Sequence, residues 1–167
     1  MTDALAPDLT IEKADYTSDR DGAALVALLD AYARDPMGGG ERLDESVKER
    51  LAPALAAFPG AFTLIARDGD DAVGLANCFT GFSTFKARPI VNIHDIAVVP
   101  VHRGRGIGKA LMNAVEGEAI ARGACKVTLE VLSGNEPAKS LYASLGYSAY
   151  SLRPETGTAQ FWEKALD

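Results

Sequence analysis

The chain has 167 residues, 47% hydrophobic and 24% charged, with 17 Lys and Arg against 23 Asp and Glu for a net charge of −6. That length suffices for the core of a single domain, and an acid excess without an extended basic stripe argues against a nucleic-acid partner. Cys78 and Cys125 lack metal-ligand spacing, Met1 to Thr10 has no secretory pattern and no apolar run reaches bilayer length, so the reading is no metal, no disulfide framework, no membrane and a cytoplasmic location.

Residues 1–8 are expected to be a flexible N-terminus. Leu9 to Lys13 alternates as a strand, and Asp19 to Asp21 offers capping residues for a helix carrying Ala23, Leu25, Leu28, Leu29 and Tyr32. The stretch Asp35 to Gly40 ends that helix. A second helix runs from about Asp44 to Ala57, with Val47, Leu51, Leu55 and Ala56 at helical spacing and Pro59-Gly60 as its stop. Ala61 to Arg67 and Ala72 to Phe82 read as a hairpin about the polar turn Asp68 to Asp71.

Ile90 to Val99, between Pro89 and Pro100, is rich in branched residues and suits a central strand. A helical pattern from Lys109 to Arg122 and a strand from Lys126 to Leu132 follow. Asn135 caps a further helix with Pro137 in its first turn, and Gly146 marks that helix's end. Tyr147 to Leu152 and Ala159 to Lys164 are expected to close the sheet. The order is that of a mixed α/β domain.

The most telling stretch is Arg103, Gly104, Arg105, Gly106, Ile107 and Gly108, between a strand and a helix. Helix starts present unpaired N–H groups and partial positive charge, which suits a phosphate. A dinucleotide fingerprint fails because Lys109 and Leu111 stand where its third glycine belongs. A P-loop fails because Arg103 and Ala110 occupy its first glycine and its hydroxyl position. What remains is Arg-x-x-Gly-x-Gly, with arginines that add positive charge.

His94-Asp95-Ile96-Ala97-Val98-Val99-Pro100 leads into this motif. A second block follows in Leu129-Glu130-Val131, Asn135, Ala138 and Leu141 to Tyr147. Together the two blocks resemble the GNAT (GCN5-related N-acetyltransferase) family. The resemblance covers Asn92 to Tyr147 and implies a GNAT-like domain over 9–167, a central mixed sheet flanked by helices. It also implies transfer of an acetyl group from acetyl-coenzyme A (acetyl-CoA) to a primary amine of a small molecule or peptide, without metal. By the same resemblance, Arg103 to Gly108 hold the cofactor's pyrophosphate. The main chain of Ile96, Ala97 and Val98 pairs with the pantetheine arm, and Asn135 touches it. Dimers are common among look-alikes, so a homodimer stays open.

Direct transfer needs a base for the amine and an acid for the leaving thiolate. Tyr142 follows Asn135 by almost two helical turns, so both share one face, and a phenol of reference pKa about 10 keeps its proton for the sulfur. Two carboxylates compete as base, directly or through water. Glu130 resembles the catalytic glutamate of ribosomal-protein N-terminal acetyltransferases, and Asp95 resembles the acidic residue other members carry on the preceding strand. A lysine-like amine costs about 4–5 kcal/mol to deprotonate at neutral pH, an α-amino group only about 1–1.5.

Strand alternation points His94 away from Asp95, so His94 and His102 are read as structural. The loop Asp35 to Glu41 and Phe79, Phe82, Phe85 and Trp162 are available to an acceptor, but none is assigned a site role. The rival reading is a non-catalytic module that binds an acyl-coenzyme A.

Overall fold

A computed structural model of the chain describes residues 8–166, so all but the last residue of the expected flexible N-terminus lies outside it. The chain divides into two compact units, one running to Leu129 and the other beginning at Glu130.

The first unit is built on a five-stranded sheet in chain order: β1 (Leu9–Lys13), β2 (Ala61–Asp68), β3 (Asp71–Ser83), β4 (Arg88–Val98) and β5 (Val127–Leu129). The first three pairings are antiparallel and β4–β5 is parallel. Three helices flank it: α1 (Asp19–Ala33), α2 (Glu45–Ala57) and α3 (Ile107–Ala121), the last serving as the β4–β5 crossover. Helix α1 is capped by Ser18, whose side chain accepts the Asp21 N–H, while Asp19 and Asp21 fall inside its first turn rather than at the cap.

Strand alternation sends residues to two faces. Ile65 and Leu75 turn to α1 and form a core with Leu25 and Leu28, packed about by Leu51, Leu55, Ala97 and Val99. On the other face, Gly74 meets Leu111 of α3, and the Arg122 guanidinium at the end of α3 lies 4.1 Å from the centre of the Phe62 ring. Ile107, Leu111, Met112, Val115 and Ala119 are all buried, and helical spacing gathers them into one stripe. Each large apolar side chain so covered stabilises by about 1.5–3 kcal/mol. Arg67, only 2% exposed, anchors α1 to the sheet through Glu12 at 3.2 Å and Asp21 at 2.7 Å.

The second unit contains α4 (Glu136–Ser144) and a mostly irregular tail with a 3-10 turn at Pro154–Thr156. Here two expectations are corrected. The strand expected over Lys126 to Leu132 is confined to Val127–Leu129. The segments Tyr147 to Leu152 and Ala159 to Lys164 are not strands: a single bridge joins Ser151 to Thr158, and Tyr150, Leu152, Phe161 and Trp162 are exposed. Alternation of apolar and polar residues suits any extended chain, and only a hydrogen-bonded neighbour makes it a strand. No helix among the described residues is long and apolar enough to cross a membrane.

Candidate active site

Strand β4 carries the site's first half. It pairs with β5 only at Val91, Asn92 and Ile93, so from His94 to Val98 its sole strand partner among the described residues is β3. The Val99 N–H bonds the Val73 carbonyl at 2.9 Å. Antiparallel ladders alternate bonded and non-bonded pairs, so the main-chain groups of Ala97 point to β3 while those of Ile96 and Val98 point away from it. The Val98 carbonyl accordingly accepts from Arg103 Nε at 2.9 Å. Of the three expected pantetheine contacts, Ile96 and Val98 therefore present their main chain to the open edge, and Ala97 does not.

One residue breaks the alternation. Asn77 pairs with Asp95 and Cys78 with Ile93, which leaves His94 as the extra residue of a bulge. The Asn77 amide donates to Asp95 Oδ2 at 3.0 Å, and the His94 ring lies edge-on to Phe79 at 5.5 Å. Asn77 and Phe79 share a face of β3, so His94 and Asp95 share one as well. The expectation that they oppose each other is thus overturned by the bulge. The row continues from Phe79 to Phe58, whose rings are 5.4 Å apart. Tyr32, at the end of α1, has its phenol pushed above the usual range by burial and then by the negative charges of Asp95 and Asp35.

Past β4, Gly104 and Gly106 both take left-handed backbone, φ 77° and 76°, which glycine adopts without strain. Gly106 is the N-cap of α3 and supplies no capping side chain. The first bond of this end runs from the Ala110 N–H to the Gly106 carbonyl, leaving the N–H groups of Ile107, Gly108 and Lys109 directed out of the helix start. The two arginines of the motif are engaged elsewhere. Arg103 pairs with Asp35 at 2.8 Å, and Arg105 lies 3.8 Å from Asp68 and 3.5 Å from His102. Asp35 sits in the loop after α1, to which the sequence assigns no site role, and caps a 3-10 turn, Pro36–Gly38.

In the second unit, Glu130 is exposed and follows the last residue of β5 rather than lying on a strand. Asn135 caps α4 through its side-chain oxygen, 3.3 Å from the Ala138 N–H, and Tyr142 is buried with its ring 6.3 Å from that of Tyr147. Phe82 and Phe85 in the first unit and Trp162 in the second are exposed. No cluster of three or more His, Cys, Asp or Glu side chains among the described residues could hold a metal ion. Sequence reading passes over Asn77 and Thr63 and takes Tyr32 only as a helix position; the available signal for the first two is a polar residue interrupting each of two apolar strands.

A mixed sheet whose fourth strand leaves an open edge and runs into a glycine turn and an uncapped helix is the architecture of an acetyltransferase, and comparison with known proteins identifies the family. The sequence model of the Acetyltransferase (GNAT) family matches residues 25–147, and the chain belongs to that family. It is 38% identical over 107 residues to streptothricin acetyltransferase of Streptomyces lavendulae, covering 63% of this chain and 54% of that protein. It is 37% identical over 78 residues to thialysine N-epsilon-acetyltransferase of Bos taurus, covering 47% of this chain and 45% of that one. The matched region thus spans about half the length of these curated relatives. In fold, it superposes with a TM-score of 0.75 on an aminoglycoside acetyltransferase from an uncultured soil metagenomic sample, at 20% identity over 95% of this chain and 97% of the other.

Proposed function

We propose that this protein is an N-acetyltransferase that moves the acetyl group of acetyl-CoA to a primary amine by direct attack with both substrates bound. The observation that carries the reading is the uncapped start of α3, with Gly104 and Gly106 before it, reached from the open edge of β4. A diphosphate accepts hydrogen bonds from such outward N–H groups and gains from the helix dipole. A side chain at Gly104 would meet nothing within 4 Å, so there is room for one. With Arg103 and Arg105 paired to carboxylates, the main chain of residues 104–108 is the proposed grip.

Acetyl-CoA supplies the acetyl group already activated as a thioester. The outward main-chain groups of Ile96 and Val98 orient the pantetheine arm as a neighbouring strand would, and their N–H groups polarise the thioester oxygen. Asp95 takes the proton of the attacking amine, with Glu130 as the second candidate. Tyr142 gives its phenolic proton to the departing sulfur, and Asn135 contacts the arm. Asp95, hydrogen-bonded to Asn77 and with no cation against it among the described residues, puts negative charge on the acceptor side, which favours a cationic small-molecule amine. The activities for which the relatives are named, on streptothricin, thialysine and aminoglycosides, support the same class.

The test is coenzyme A release with a panel of polyamines, aminoglycosides, lysine analogues and peptide N-termini. The reading expects turnover with at least one cationic amine and a fall in kcat of about 100-fold or more in Tyr142→Phe, as for loss of a general acid. Saturable acetyl-CoA binding with no turnover on any amine would favour the non-catalytic binding module.

A further inference from the structure

Four polar side chains form an unbroken row beneath α1. The Tyr16 hydroxyl lies 2.9 Å from Thr63 Oγ1, Thr63 Oγ1 donates to Asn77 Oδ1 at 2.7 Å, and Asn77 Nδ2 donates to Asp95 Oδ2 at 3.0 Å. The last three are direct neighbours in register, Thr63 opposite Asn77 and Asn77 opposite Asp95. Thr63 is 0% and Asn77 4% exposed, in the row next to the apolar pair Ile65 and Leu75.

The donors run in one direction. Thr63 has a single hydroxyl proton, given to Asn77, so Tyr16 must be the donor at its own contact. With its oxygen held by Thr63, the Asn77 amide can present only its NH2 to Asp95, and a flipped amide would set two acceptors against each other. Polar groups buried this deeply cost free energy, whereas an apolar pair at 63 and 77 would pack beside Ile65 and Leu75 without that cost. Stability alone therefore does not account for the row.

We infer that Asn77, backed by Thr63 and Tyr16, is a positioning residue that holds Asp95 by one carboxylate oxygen and leaves the other for the acceptor amine. The inference rests on the reading of Asp95 as the base. Asn77 moves no proton; it fixes the carboxylate's rotation and stabilises its charge.

Thr63→Val removes the hydroxyl, and Thr63→Ser keeps it. The expected result is a fall in kcat of about 10- to 100-fold in Thr63→Val and Asn77→Leu, the scale of a misplaced reacting group. The acetyl-CoA KM should stay unchanged, and Thr63→Ser should behave as wild type. Thermal midpoints confirm that each variant is folded. Independently of turnover, the side-chain amide protons of Asn77 in nitrogen-15 NMR should exchange slowly in wild type and Thr63→Ser and quickly in Thr63→Val. An unaltered amide signal in Thr63→Val overturns the inference even if no amine is acetylated. Wild-type kcat in Thr63→Val overturns it too, as does full turnover in Asp95→Asn, whereas a wild-type protein silent on every amine counts against the proposed activity and leaves the amide signal as judge of the row.

Discussion

Arg103 joins two segments far apart in the chain: its guanidinium meets Asp35 Oδ2 at 2.8 Å while its Nε donates to the Val98 carbonyl at 2.9 Å. The other Asp35 oxygen accepts the Met37 N–H at 2.9 Å and so opens the turn after α1. The motif arginine thus fastens the loop after α1 to the outer edge of β4. Arg103→Ala and Asp35→Ala should each speed proteolytic nicking within 35–41, and the effect of the double variant should fall short of the sum of the two, because they share one bond while each also loses one of its own. Their coupling should be below about 1 kcal/mol, as for a pair in contact with solvent.

That coupling has a defined pH dependence. The Arg103 hydrogen bond, then the Met37 N–H, hold the Asp35 carboxyl below its ordinary value, so the native state favours the ionised form. A depressed folded pKa gives stability that is fully present above the unfolded carboxylate range and is lost as pH falls through the folded value. The difference in nicking rate between wild type and Arg103→Ala should therefore persist at neutral pH and shrink in acid below the ordinary carboxylate range. A difference that grows on acidification would contradict the assignment.

Two glycines should respond differently to the same substitution. A Cβ at Gly74 would lie 2.9 Å from the Ala97 carbonyl oxygen and 3.2 Å from Leu111 Cδ1, so Gly74→Ala should overpack the α3 face and cost about 1–3 kcal/mol in denaturant unfolding. At Gly104 nothing lies within 4 Å, and only the left-handed backbone, about 1–2 kcal/mol, opposes a side chain. Gly104→Ala should weaken acetyl-CoA binding while Gly74→Ala leaves the affinity of the folded fraction unchanged.

Cys78 is buried in β3, and that burial pushes its thiol up to about 12 from 9.0. The native state keeps the proton that the unfolded chain releases, so stability is intact below 9.0 and falls as pH rises from there to about 12. Cys78→Ala should flatten this alkaline slope in urea titrations, whatever it does to stability at neutral pH. Native Cys78 should also resist iodoacetamide at neutral pH.

The elements with strong apolar period and clear punctuation were legible. β1 matches its expected span, α2 starts one residue after Asp44, and the β2–β3 hairpin turns at the expected polar stretch. The glycine turn before α3 was equally readable, because positive φ at Gly104 and Gly106 is written in residue type. The His94 bulge was not: a single inserted residue between Ile93 and Asp95 leaves no trace in polarity, yet it reverses which residues share a face. The partners of Arg103 and Asn77 were hidden for another reason, since a charged or amide side chain does not name a mate brought near only by folding. The tail misled because apolar residues such as Leu152, Phe161 and Trp162 carry strand propensity while exposed.

In the proposed reaction, main-chain donors at the start of α3 grip a diphosphate. Titration calorimetry with acetyl-CoA and with acetyl-pantetheine, which carries the thioester but no diphosphate, tests this most directly. The predicted result is saturable one-to-one heat with acetyl-CoA and affinity at least about tenfold weaker without the diphosphate, given about 1.5–3 kcal/mol for each hydrogen bond to a charged group. Equal binding of the two compounds, or no heat with acetyl-CoA, would contradict it.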